Sequence, residues 1–189
     1  MDLLNLIKQT RSCRIFENRQ IPLNDLEWLI ECARYAPTAR NAQQLRFIIV
    51  NGKESADAIS ANVRWAKRNG EIWSPHANEL PRAYIIIAMP SKETDLLHYD
   101  AGIAAQTIQL AAAVRDLATC IIWAFHRSNL ASLVKLPDTL SISLLLACGY
   151  PSQKREAVTA RESINLYDKD GVHYAPKLPL EELILKVIS

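Results

Sequence analysis

Tyr99–Leu117, YDAGIAAQTIQLAAAVRDL, is helical in composition but too apolar for an ordinary surface helix. Ile103, Ile108, Leu110 and Val114 are spread, with a series of alanines, round most of its circumference. Such a helix is expected to be buried on several sides, with Asp100 as its N-cap. Gly102, Ala104, Ala105, Ala111, Ala112 and Ala113 carry so little bulk that another helix can approach the backbone closely. That neighbour can belong to the same chain or to a second copy, so a central core helix and a subunit interface both stay open. A leucine or arginine at Ala104 is expected to overpack the contact.

Outward from this helix, strands and helices alternate. Ala83–Met89 (AYIIIAM), Thr119–Phe125 (TCIIWAF) and Ser141–Cys148 (SISLLLAC) read as strands, as does Leu45–Val50 (LRFIIV). Helices are expected at Leu3–Gln9, from Leu23 or Asn24 to Tyr35, at Lys53–Ala61 and at Asn129–Leu136. In the second of these, Leu26, Leu29, Ile30 and Ala33 form the buried side. Residues 62–81, with Trp65, Trp73, Pro75 and Pro81, read as irregular: either a rim over a pocket or a surface excursion pinned by tryptophans. The alternation implies a mixed α/β or α+β layer, and 189 residues at 49% hydrophobic content suit a single domain. From Gly149 the chain turns polar and closes on the amphipathic stretch Leu180–Ile188. A tail of about 40 residues is hard to fit into a compact monomer.

Several chemistries are excluded. The net charge of +2, from 22 basic and 20 acidic residues, gives no field suited to nucleic acid or a membrane surface. No apolar run approaches the length of a spanning helix, and MDLLNLIKQTR lacks the order of a signal peptide, so a cytoplasmic protein is expected. Cys13, Cys32, Cys120 and Cys148 are far apart and the four histidines are isolated, which indicates neither a metal site nor a redox dithiol. No thiol is expected to carry chemistry. The five glycines form neither a dinucleotide nor a P-loop fingerprint, so any phosphate must be held by side chains.

Two polar stretches remain. TRSCRIF places Arg11, Ser12 and Arg14 within four residues after the first helix, two guanidinium forks and a hydroxyl suited to an anionic oxygen cluster. Ala36–Gln44, APTARNAQQ, is a polar loop feeding straight into a strand, a place where function is often carried.

Together these pieces resemble the nitroreductase family of flavin mononucleotide (FMN) enzymes, nearly end to end. TRSCRIF is similar to the family's R-S-x-R-x-F phosphate turn and APTARNAQQLRFIIV to its strand-entry loop. DAGIAAQTIQLAA is similar to its D-x-G-x-A-x-Q helix, and CIIWAF and LLLACGYP to its two late strands. The resemblance implies an α+β fold, a mixed sheet flanked by helices, in a homodimer with the long helix at the interface. Both subunits would build each flavin site, and residues 150–189 would extend onto the partner.

The resemblance also implies roles. Arg11 and Ser12 would meet the flavin phosphate and ribityl chain, and Arg14 the pyrimidine edge of the ring. Pro37, Thr38, Ala39 and Asn41 would come from the other subunit. Ile122, Trp123 and Ala124 would pass under the ring, and Lys177 would reach the phosphate from the tail. No catalytic acid or base and no metal is assigned, because the chemistry belongs to the flavin. Gln44, Asp116, Ala118 and Leu178 depart from the pattern, and Leu178 removes one phosphate cation, which predicts a modest flavin affinity. The implied activity is hydride transfer from NADH or NADPH to flavin, then reduction of a nitroaromatic, quinone or similar small acceptor in a ping-pong cycle. A reductive dehalogenase, a flavin-consuming enzyme and a non-catalytic flavin sensor are the alternatives.

Overall fold

The computed structural model describes residues 2–68 and 71–188. In chain order its elements are α1 (Leu3–Gln9), α2 (Leu23–Arg34), a 3-10 turn (Ala39–Asn41), β1 (Arg46–Asn51), α3 (Lys53–Ser60), β2 (Ala66–Arg68), β3 (Glu71–Trp73) and β4 (Ala83–Pro90). There follow α4 (Asp95–Val114), β5 (Ala118–Ile122), α5 (Arg127–Leu133), β6 (Leu140–Gly149), β7 (Lys154–Thr159), β8 (Tyr167–Lys169), β9 (Val172–Lys177) and α6 (Leu180–Leu183).

β1, β4, β6 and β5 lie side by side in that order, each antiparallel to its neighbour. β4 is apolar at nearly every position because helices cover both of its faces. Its Ile85, Ile87 and Met89 pack with α2 and α4, while Tyr84 and Ile86 pack with Ala56 and Ile59 of α3, Trp65 and Leu130 of α5. The fold is α+β, as expected, but the helix-flanked central sheet is antiparallel throughout instead of mixed.

α4 differs from its expected form in instructive ways. It begins at Asp95, with Thr94 at the N-cap, so Asp100 is not a cap but a buried residue inside the helix. The extra turn carries Leu97 into the core. Ala104, Ala105, Ala111 and Ala112 are spent on the chain's own core, so a larger residue at Ala104 would overpack that core and not a subunit contact. The opposite face exposes Leu96, Tyr99, Ile103 and Val114. Asp116 then takes a left-handed φ of 56° in the turn to β5, a conformation that aspartate tolerates better than bulkier residues.

Other boundaries shift slightly. β5 stops at Ile122 instead of reaching Phe125, which makes only an isolated bridge to Val63. α5 starts two residues and ends three residues earlier than expected, and Lys135, two residues beyond its end, adopts a positive φ. Within 62–81 the antiparallel pair β2–β3 interrupts the expected irregular chain; residues 69 and 70 lie outside the described residues.

The tail builds a second sheet in the order β7–β9–β8, with β7 parallel and β8 antiparallel to β9. β7 packs beside α1. Beyond α6, Leu185, Val187 and Ile188 are exposed. Among the described residues no helix is long and apolar enough to cross a membrane.

Candidate functional site

The basic turn begins where α1 ends. Arg11 folds back so that Nη2 donates to the carbonyl of Ile7 at 2.7 Å, a favourable place for a cation at a helix C-terminus. The chain then runs along the open edge of β5, where the Cys13 N–H donates to the Thr119 carbonyl at 2.9 Å. Phe16 anchors the far end: its N–H donates to the Glu79 carbonyl at 2.9 Å, it bridges to Pro151, and its ring lies over Gly149. The R-x-F and G-Y-P stretches, remote in sequence, are thus one packing unit.

Arg155, in β7, reaches this turn and was not anticipated. Its Nη1 donates to the Arg11 carbonyl at 2.7 Å and its Nε to the Gln153 carbonyl at 3.3 Å. Burial, and then the nearby Arg155 charge, pull Arg11 below its ordinary value. Burial pushes the Cys13 thiol up, opposed by Arg155, by a hydrogen bond to Ile15 and by Arg14. The Nε atoms of Arg11 and Arg14 and the Thr119 hydroxyl are buried without a hydrogen-bond partner. Among the described residues, none of the three arginines forms an ion pair with a carboxylate. Ser12 is exposed beside them.

Along the same edge, Trp123 stands about 13 Å from Thr119 at strand spacing. Ile122 is buried and Trp123 is 69% exposed, and the Ala124 carbonyl accepts from the Arg64 N–H at 2.9 Å. The backbone N–H groups of Trp123 and Ala124 lie beyond the paired part of β5. Arg127 covers this turn, with its guanidinium carbon 4.7 Å from the Phe125 ring centre.

Pro37, Thr38, Ala39 and Asn41 lie elsewhere. The Ala39 N–H donates to Oδ1 of the buried Asp100 at 2.9 Å, which ties the loop to α4 and explains why a carboxylate sits inside an apolar helix. Arg40, Asn41 and Gln43 all have positive φ, a concentration of uncommon backbone that only a fixed surrounding sustains. Beside the loop is a cavity of about 260 Å³ lined by Ile30, Ala33, Leu45, Phe47, Asp100 and Ala104. This loop enters β1, whereas the basic turn and Ile122–Ala124 border β5. Three strand spacings, about 14 Å, separate the two edges. Lys177 also stands apart: β9 pairs it with Thr159, four residues beyond the pairing of Arg155 with His173, or about 13 Å along the sheet. In one chain Arg11, Ser12, Arg14 and Ile122–Ala124 therefore border the same edge of β5, whereas the 37–41 loop and Lys177 do not.

The family model for the nitroreductase family matches residues 7–150. The chain belongs to the nitroreductase family. A protein of Archaeoglobus fulgidus provisionally named NADH dehydrogenase/NAD(P)H nitroreductase is 25% identical over 179 residues, covering 91% of this chain and 97% of that protein. An FMN-dependent nitroreductase structure from Clostridium difficile superimposes with a TM-score of 0.67 at 21% identity, over 82% of this chain and 90% of that one. An iodotyrosine deiodinase structure bound to FMN and 3-iodo-L-tyrosine gives a TM-score of 0.69 at 20% identity, over 89% of this chain and all of that one. The nitroreductase match takes in the basic turn, the 37–41 loop, α4 and β5. It ends before β7, so Arg155 and Lys177 lie outside it.

Proposed function

We propose that this protein is an FMN-dependent NAD(P)H oxidoreductase acting as a homodimer. The observation that carries this is the edge of β5: half-buried guanidiniums of Arg11 and Arg14 with orphaned Nε atoms and, among the described residues, no carboxylate paired with them. Cations so arranged are costly unless an anion completes the site, and the phosphate and pyrimidine of FMN fit that donor set. When bound, FMN supplies the chemistry, accepting a hydride from NADH or NADPH and passing two electrons to a nitroaromatic, quinone or similar acceptor in alternating half-reactions.

This chain's residues position and polarise. Arg11 and Ser12 hold the phosphate end, Arg14 places a fixed cation at the ring, and Ile122, Trp123 and Ala124 offer a floor with backbone donors. The separation of the 37–41 loop from this edge supports a shared site. Pro37, Thr38, Ala39 and Asn41 of one subunit would close the site of the other. The exposed stripe Leu96–Tyr99–Ile103–Val114 on α4 supplies an apolar face for the contact. Residues 1–189 would then be one domain, with the apolar end of the 150–189 tail seated on the partner and Lys177 brought to the partner's phosphate. All four cysteines are free, which fits a reducing cytoplasm.

Purified protein should carry the absorbance of bound flavin. Anaerobic stopped-flow mixing with NADH or NADPH should bleach it, and a nitroaromatic or quinone should restore it. Colour that resists both cofactors would make this a flavin-binding protein without the proposed activity. Recovery with 3-iodo-L-tyrosine in place of the other acceptors would favour dehalogenation. For the dimer, Ile103→Arg adds charge to an exposed position and should leave the far-UV spectrum unchanged. Sedimentation should show a dimer for the wild type and a flavin-depleted monomer for the variant; a dimeric, flavin-loaded variant would move the interface elsewhere.

A further inference from the structure

Arg155 is a charged residue at this edge with no assigned part. It lies outside the segment that defines the family, on the first strand of the tail sheet. Alternation along β7 turns Arg155 and Ala157 inward and leaves Lys154 and Glu156 exposed. Two of its nitrogens are fixed, Nη1 on the Arg11 carbonyl at 2.7 Å and Nε on the Gln153 carbonyl at 3.3 Å. Nη2 donates to no acceptor among the described residues. The hydrogen bond to Arg11 holds the two guanidinium-bearing residues side by side. Burial together with this second cation disfavours the charged form of Arg11.

Two adjoining cations, partly removed from water and with no carboxylate ion pair among the described residues, repel each other. A residue serving only as a strut for the Arg11 carbonyl could be neutral and avoid that cost. Asp168, which the register places across His173 from Arg155, is engaged elsewhere: it accepts from Gln153 and contacts the His173 ring at 2.7 Å. Lys177 is too far along β9 to stand beside Arg11 in the same chain. The neighbourhood has the form of a two-armed anion site, one arm at the end of α1 and the other on β7.

Resting on the FMN site proposed above, we propose that Arg155 is a phosphate-binding residue, the second guanidinium beside Arg11 that grips the phosphate monoester of the cofactor. The tail sheet then contributes to cofactor selection within its own chain, in addition to any reach toward a partner. A planar fork held at two of its nitrogens presents the third with little remaining freedom, which suits a tetrahedral dianion better than a loose ammonium would.

The test compares FMN with riboflavin, which lacks the phosphate, by quenching of flavin fluorescence on titration with apoprotein. Wild type should prefer FMN, and Arg11→Ala should erase most of that preference. Arg155→Gln should weaken FMN by about tenfold to a hundredfold and leave riboflavin nearly unchanged. Arg155→Lys, which keeps the charge without the fork, should fall between and guards against a misfolded glutamine variant. Equal weakening of both flavins would make Arg155 a strut, and unchanged FMN binding would remove it from the site; either overturns the inference while leaving the FMN assignment intact. Wild type that binds neither flavin, or shows no preference for FMN, would instead overturn the cofactor assignment on which it rests.

Discussion

Gly149→Ala is expected to destabilise the protein by about 1–3 kcal/mol and to release bound flavin, although the residue lies outside the basic turn. A Cβ at this position would stand 2.5 Å from Cδ1, 2.9 Å from Cγ and 3.1 Å from Cβ of Phe16. The ring cannot swing aside, because Phe16 is buried and its backbone is held by Glu79 and Pro151. Relief must come from moving the backbone of residues 14–16, and Arg14 moves with it. The glycine is required here for space, since its φ is not among the positive ones. Denaturant unfolding of the apoprotein measures the first effect and flavin titration the second. Gly149→Ala combined with Phe16→Leu should recover part of the stability by opening room; a double variant no better than additive would place the strain elsewhere.

If Arg11 meets the flavin phosphate and Arg14 the pyrimidine edge, as proposed, the two residues should separate affinity from potential. The phosphate carries the same charge in oxidised and reduced flavin, so Arg11→Ala should weaken both alike, by roughly 1.5–3 kcal/mol for a largely desolvated contact. Negative charge arrives on the pyrimidine side only on reduction. An arginine there binds the reduced form better, and its effect belongs in the potential. Arg14→Ala should therefore retain more flavin but lower its two-electron potential by roughly 30 mV for each 1.4 kcal/mol of differential stabilisation lost. Titration against a reference dye, together with dissociation constants for oxidised flavin, measures both quantities. A flavin-depleted Arg14→Ala of normal potential, with the reverse for Arg11→Ala, would exchange the two roles. No change in either variant would leave the turn a solvated basic face.

The central sheet was legible because its strands are apolar runs too long and too dense for loops, and AYIIIAM has no other home than between two covered faces. Helix boundaries failed where a polar residue worked across the fold. Asp100 has the appearance of a cap, but its carboxylate serves the Ala39 N–H from within α4. The tail sheet was missed because KREAVT and VHYAPK alternate weakly and mix charges with small residues, a pattern with little hydrophobic contrast. Arg155 was missed for the same reason, since only the packing of β7 beside α1 brings it to Arg11. The distance between the 37–41 loop and the basic turn follows from strand order, which no local pattern encodes.

That distance has a genetic corollary. If a complete site takes its turn from one chain and its loop from another, lesions in the two segments belong to different complementation groups. In a mixed dimer of a turn-defective chain and a loop-defective chain, one site collects both defects and the other collects neither. Two inactive alleles would then yield an assembly with one intact centre, and dominance among variants of this protein would depend on which edge of the sheet each one damages.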